Sequence, residues 1–338
     1  MAFTTIDNAE LYFQTKIYSG TGSSLALTLD GTENMSPNLI WLKRRSAGGN
    51  HFLYDSVRGA NKALVPNETD VEDSSGEAAS YLSSFDSDGF TLGGSYSNTN
   101  ASGSTYVAWC WKEASGIMDI NLHTGNGSAR IISHNLGAVP SWIICKGRDW
   151  AEEWETYHVR RGNDHSLKIN NDNTGDSGSG RWNSTTPTSS VYSVGTADAT
   201  NKDTKLFVTY LFSEVQGYSK FGKFTANGND DNCFCWCGFE PAFIMHKNID
   251  THDTWNRWYI FDTKRDPINL ADQEQTANEA LADDAGGSDY AQIDILANGF
   301  KIRKGSSWGI GGSGQNSIFM AFARAPFVNS SGVPANAR

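Results

Sequence analysis

The chain has 338 residues and a net charge of -11, with 38% hydrophobic, 19% charged and 12% aromatic residues and 34 Gly. That length suggests two or three domains, and its low charge with many aromatics and glycines rules out disorder and points to a turn-rich all-β protein. The acidic balance argues against nucleic acid, which needs a basic face and is offered only "KRR" at Lys43 to Arg45; no apolar run reaches 18 residues, so no membrane insertion is expected.

The opening "MAFTTIDNAE" has neither the basic nor the apolar part of a secretory signal, so assembly in a cytoplasm is expected. Residues 1–17 read as an N-terminal arm. From there the chain repeats itself. A glycine turn comes first, in "YSGTG", "HTGNG" and "FTANG". A short apolar strand follows: "LALTL", "ARIIS" or "CFCWC". A Pro turn then opens a second strand, as "PNLIWLK", "PSWIICK" and "PAFIMHK". Its prolines Pro37, Pro140 and Pro241 lie 103 and 101 residues apart. Proline suits the first position of a strand, where its missing N–H costs no ladder bond. The strands flanking this turn read as a hairpin.

Next comes an aromatic four residues before an Arg: Tyr54 and Arg58, Tyr157 and Arg161, Phe261 and Arg265. Acidic stretches, "DVEDSSGEAASY" and "LADQEQTANEALADDAGG", read as one short helix each. A Gly-Phe pair follows at Gly89-Phe90 and Gly299-Phe300, weakened to "SVYSVG" in the middle copy. Each copy closes on an aromatic strand, "YVAWCWKEA", "FVTYLFSEV" or "SIFMAFARA", with Trp111, Phe212 and Phe322 in register.

These landmarks predict three tandem antiparallel β-sandwich-like repeats of roughly 100 residues with five to seven strands each. The boundaries read as 18–115, 116–222 and 223–327, with a C-terminal tail at 328–338. A buried Trp or Phe removes about 150–250 Å² from water, roughly 4–6 kcal/mol gross per ring. Pro37, Trp111, Pro140, Phe212, Pro241 and Phe322 are therefore assigned to the scaffold, with the [LWF]-Ile pair of the Pro strand as the wall facing those rings.

Reactive constellations are sparse. His51, His134, His158, His246 and His252 are scattered, and no nucleophile motif accompanies them. "CFCWC", Cys233 to Cys237, lacks the usual zinc spacing. Strand alternation would put its thiols on one face, with Phe234 and Trp236 on the other. "DSDG" at Asp86 to Gly89 and "NNDNTGD" at Asn170 to Asp176 resemble calcium loops without the terminal Glu, and turn formation explains them equally. No catalytic, cofactor-binding or metal-ligating residue is assigned, and no enzyme is expected. "WAEEWE" sets Trp150 and Trp154 beside Glu152, Glu153 and Glu155. With Trp182 in its Gly- and Ser-rich loop, these tryptophans are the candidate glycan or receptor contacts.

The segments "HFLYDSVRGANKAL", "SFDSDGFTLG", "YVAWCWK", "ISHNLGAVPSWIICK", "GFEPAFIMHK" and "FMAFARAPFVNSSGVPANAR" together resemble a repeat domain of unknown function in virion proteins of marine tailed bacteriophages, mostly tail fibre or tail proteins. The resemblance implies a structural virion component on the outside of the particle, in the tail rather than the capsid. It implies other phage virion proteins as partners, a homo-oligomer with a trimer favoured, and contact with a host surface glycan or outer-membrane protein. The alternatives are a capsid-decorating protein and a polysaccharide depolymerase; the latter would need two carboxylates about 5–10 Å apart in a groove.

Overall fold

The computed structural model describes residues 4–73, 81–251, 255–283, 291–304 and 310–334. The first segment of the chain carries β1 (Phe13–Ser19), β2 (Leu25–Leu27), β3 (Leu39–Arg44), β4 (Phe52–Asp55), β5 (Ser84–Asp86), β6 (Gly89–Leu92) and β7 (Thr105–Trp111). The second carries β8 (Met118–Thr124), β9 (Arg130–Ser133), β10 (Pro140–Gly147), β11 (Glu155–His158), β12 (His165–Lys168), β13 (Asp176–Ser177), β14 (Val191–Val194) and β15 (Leu206–Ser213). The third carries β16 (Ser219–Thr225), β17 (Phe234–Trp236), β18 (Phe239–Asn248), β19 (Tyr259–Asp262), β20 (Gln275–Thr276), β21 (Ile293–Leu296), β22 (Gly299–Ile302) and β23 (Asn316–Pro326). The fold is all-β and antiparallel throughout its named strand pairs. Among the described residues, no helix is long and apolar enough to cross a membrane.

One strand order recurs in the large sheets: β1-β7-β3-β4, then β8-β15-β10-β11, then β16-β23-β18-β19, the last two extended by β12-β13 and by β20. In each, the Pro strand and the first strand of the segment flank the closing aromatic strand. A small sheet accompanies each large one: β2-β6-β5, β9-β14 and β17-β22-β21. The strands before and after the Pro turn thus lie in different sheets, not in the expected hairpin. The turn is a crossover between layers, and the bulges beside Pro140 and Pro241 show the ladder adjusting to prolines that cannot donate.

Four further expectations change. β1 begins at Phe13, so the last residues of the predicted arm belong to the first sheet, and the boundary at 222 and 223 cuts through β16, which pairs with β23. The glycine turn follows the first strand of a segment rather than opening it. The acidic stretches form no helix where they are described. Asp73 and Ala271 make isolated bridges there, and the remainder of each stretch lies outside the described residues.

Both faces of the large sheets are buried. One face of the first packs Ile40, Tyr54, Tyr106 and Cys110 against Phe90 and Leu92 of its small sheet. In the second, Ile143, Cys145 and Leu211 meet Tyr192 and Val194 likewise. The opposite faces of all three converge on one cluster. There Trp111, Phe212 and Phe322 form a triangle of rings, with centroids 6.3, 5.7 and 5.7 Å apart. Leu39, Trp142 and Phe243 pair directly across the ladder with those rings, so they stand beside them on the same face and are not a facing wall. Pro37, Pro140 and Pro241 are buried where the neighbouring strands enter.

The segments are also joined by polar contacts that repeat around this centre. Lys43, Lys146 and Lys247, each fully buried at the end of its Pro strand, donate to Leu281 O, Thr69 O and Asp172 O of the next segment round. At the start of the following strand His51 bonds Thr276 O, Trp154 Nε1 donates to Val65 O and Glu68 O, and Trp258 Nε1 donates to Lys168 O. Tyr210 donates to Asp55 and Trp109 Nε1 to Asp262, in the same sense of rotation. Burial lowers the Lys43 and Lys146 ammonium groups to about 8, and their carbonyl partners hold them in place as donors.

Charge locks two of the three junctions. Asp55 and Arg58 are fully buried together, and Glu72 joins Arg58 to Arg148 of the second segment. Asp262, Arg265 and Asp283 repeat this, with Arg45 of the first segment in the role of Arg148. Between the third and second segments the pattern fails. His158 replaces the Asp and Ile249 the outer Arg. His158 Nε2 meets Phe319 O at 3.1 Å instead.

Replacing Phe212 by Ala removes one corner of the ring triangle and is expected to cost about 3–5 kcal/mol, read as a lowered urea midpoint. A second outcome concerns acid. Burial lowers His123 and His158 to about 4 and His246 to about 3, against an ordinary 6.5. Below pH 6.5 the unfolded chain binds protons that the folded chain refuses, so stability falls as pH drops towards 4, by roughly 1.4 kcal/mol per pH unit per histidine. His158→Gln keeps a donor for Phe319 O and should flatten the pH-stability curve by one proton's worth of slope.

Candidate functional site

The tryptophans expected at a binding loop do not come together. Trp154 is 1% exposed and Trp182 2% exposed. Trp154 serves the junction with the first segment, and Trp182 packs 6.2 Å from Tyr157 in the second segment's own core. Both are corrected from contacts to scaffold. Trp150 is half-buried against Gly147 with the Lys202 ammonium 4.0 Å above its ring. Glu155 is buried, accepting from Ser166 and paired with Arg181 at 3.2 Å, and burial raises its carboxyl. The "WAEEWE" segment is thus largely a folding element.

The turns resembling calcium loops spend their oxygens internally. Asp86 accepts from Ser84 and Thr91, Asp88 from Met35 N, and Asn170 from Trp154 N. Asp176 pairs with Arg181 and Lys168. His252 lies outside the described residues. Among the described residues no group of three His, Cys, Asp or Glu is placed to hold a metal.

The exposed aromatics lie elsewhere, at the junction that lacks the charge lock. Strand β17 is the edge of its small sheet, and its alternation is as strand geometry demands. Cys235 and Cys237 face inward at 4% and 3% exposure, while Phe234 and Trp236 face solvent at 44% and 50%. Gly238, with φ of 82°, lets the chain turn under the Trp236 ring, where a Cβ would lie 2.9 Å from Cη2.

Beside this pair runs a groove of about 360 Å³ between β16 and the loop after β11. Lys220, Lys223 and Arg160 supply its charge, and Phe224 and Phe319 its apolar floor. Gly222 opens that floor, since a Cβ there would meet the Phe319 ring at 2.2 Å. Lys220 reaches towards the Trp236 ring, 5.9 Å from its centroid, while paired with Glu214. Arg160 is anchored by its Nε on Phe221 O. On the outer face Lys301, opposite Phe234, and Arg303 add further positive charge around Asp231. The arrangement offers two aromatic faces and a row of cations, suited to stacking and to holding anionic groups.

Sequence reasoning placed Phe234 and Trp236 on the face opposite the thiols but assigned them no role. The usable signal was the pair of large rings alternating with small residues on a short strand, beside a middle repeat whose "YHVRR" breaks the "YDSVR" and "FDTKR" pattern.

Residues 8–326 match a domain of unknown function (DUF7483), and the chain belongs to that family. No curated protein matches it.

The thiols make one property of this site measurable. A hydrogen bond from Cys235 lowers the half-buried Cys233, whereas burial raises Cys110, Cys145 and Cys237, and the bond to Cys233 together with burial raises Cys235. Because the thiolate is the nucleophile, iodoacetamide at neutral pH should label Cys233 alone in the native protein, and peptide mass spectrometry should find the other four unmodified.

Proposed function

We propose that the protein is a structural component of a tailed-phage virion that contacts the host cell surface, as part of a tail fibre or tail tip. The phage reading rests on the ordered motifs described above. The contact reading rests on one observation: Phe234 and Trp236 stand exposed beside Arg160, Lys220 and Lys223 on a chain whose net charge is -11. An acidic body repels anionic polymers at large, so a local row of cations with stacking rings confines attraction to one face. The ligand class is an anionic host envelope polysaccharide, held by charge and by ring stacking. Function of this kind sits on a rigid frame and needs no reactive group.

A capsid-decorating role is the second reading. It is favoured by the three segments set around one centre, which would match a threefold position on a head. Antibody-gold labelling of intact particles separates the two by location.

Saturating recombinant protein should slow phage adsorption. Trp236→Ala with Lys223→Glu should abolish that competition while leaving stability within about 0.5 kcal/mol, as for exposed positions. Unchanged adsorption kinetics and no cell binding by the wild-type protein would remove the host-contact role.

A further inference from the structure

We infer that the cleft between the first and third segments is a binding site for a neutral polyhydroxylated molecule the size of one or two sugar rings. This site is separate from the groove at Trp236 and does not depend on the host-contact reading. The cleft encloses about 350 Å³, within the range of small-molecule sites at roughly 300–1,000 Å³.

Two of its lining residues each carry a buried side-chain oxygen with no hydrogen-bond partner. Glu240 is 1% exposed; its Oε2 accepts from Arg324 Nη2 at 2.6 Å, and its Oε1 accepts from nothing. Thr15 is 5% exposed, and its Oγ1 is likewise unpartnered. Buried oxygens of this kind are ordinarily satisfied, and each that is not calls for an explanation, a donor from outside the chain among them. Both line the same cleft.

The position of Glu240 is a departure from the repeated pattern. It precedes Pro241, where the other segments place Ser36 and Val139, the latter 49% exposed. The bulge on either side of Pro241 breaks the ladder at this point, a device that re-aims side chains. At the position before the Pro, the third segment alone thus carries a carboxylate.

The lining's charges balance, Glu10 and Glu240 against Lys264 and Arg324. A free anion would meet Glu240, and a cation would meet Lys264. Hydroxyl groups suit the whole set: they accept from the Lys264 ammonium, and a small turn of the Glu240 and Thr15 side chains towards the cleft lets them donate to Glu240 Oε1 and Thr15 Oγ1. Gln14 is already committed, donating to Glu10 O and accepting from Gly31 N, and so forms a fixed wall. Behind it Phe13 is locked 5.6 Å from Phe322 in the central ring cluster. The cleft is therefore preformed.

Saturation-transfer NMR of the intact protein with glucose, galactose, mannose, N-acetylglucosamine and glucuronate tests this. At least one neutral sugar should give transfer, with Kd on the order of 1 mM. Glu240→Ala should weaken it by about tenfold or more. Ala242→Phe, which plugs the cleft from its partly exposed rim, should abolish it. Thermal melts identify any variant that fails to fold, and the other variant then carries the test. The proposal is overturned if no neutral sugar gives transfer, if glucuronate alone does, or if transfer survives both cleft variants.

Discussion

The structure depends on three rings meeting at one point. Trp111, Phe212 and Phe322 lie on the closing strands of three successive sheets, and their mutual contact is possible only if all three sheets turn the same face inward. Each ring is then desolvated by the other two as much as by its own sheet. No segment can bury its inner face alone, because the hydrophobic gain is realised only when the others are present. Phe13 and Phe243 thicken the contact, and Phe243 belongs to the Pro strand next to the ring of its own segment.

Rings alone fix no rotation, since apolar contact is without direction. Register around the centre comes from the polar bonds that pass from each segment to the next. The buried lysines are the clearest case: an ammonium at zero exposure is costly unless carbonyls receive it, and each finds them on the neighbouring segment. A wrong rotation would leave those lysines without acceptors and Asp55 and Asp262 without Tyr210 and Trp109, a penalty far larger than the contact is worth when formed. The junction with His158 and Ile249 lacks this charge lock, and there the frame is held by the His158 bond to Phe319 O, the Arg160 bond to Phe221 O, the Lys247 and Trp258 contacts and packing.

The sequence conveys the frame well because the same physical demand is written three times. The rings and the prolines that open each Pro strand recur in order, so their place in the scaffold is legible from spacing, whereas the burial of the lysines at the strand ends is not. An indole beside carboxylates, as at Trp154, has the same composition on a surface as at a junction, and the Gly- and Ser-rich loop of Trp182 does not show which way its ring points. Only the neighbouring segment's carbonyls, remote in sequence, show that Trp154 points inward. The Pro-turn hairpin failed for a related reason: strand and turn signals fix local geometry but not which layer a strand joins. The cleft was invisible, since Thr15 and Glu240 are brought together by the contact of segments more than two hundred residues apart in the chain.

In a frame of recurring parts, differences between the copies carry information that the recurrence does not. A residue shared by all three positions answers a need that all three have, which is packing. A residue present once answers a need of one junction. His158 in place of Asp accompanies the junction where the groove opens beside Phe234 and Trp236. Glu240 in place of Ser36 or Val139 accompanies the junction where two oxygens stand without partners. Both departures fall at contacts between segments, where a side chain can change without disturbing the sheet that holds it, and both leave the central rings untouched. The unrepeated letters of the sequence thus fall where the frame tolerates variation.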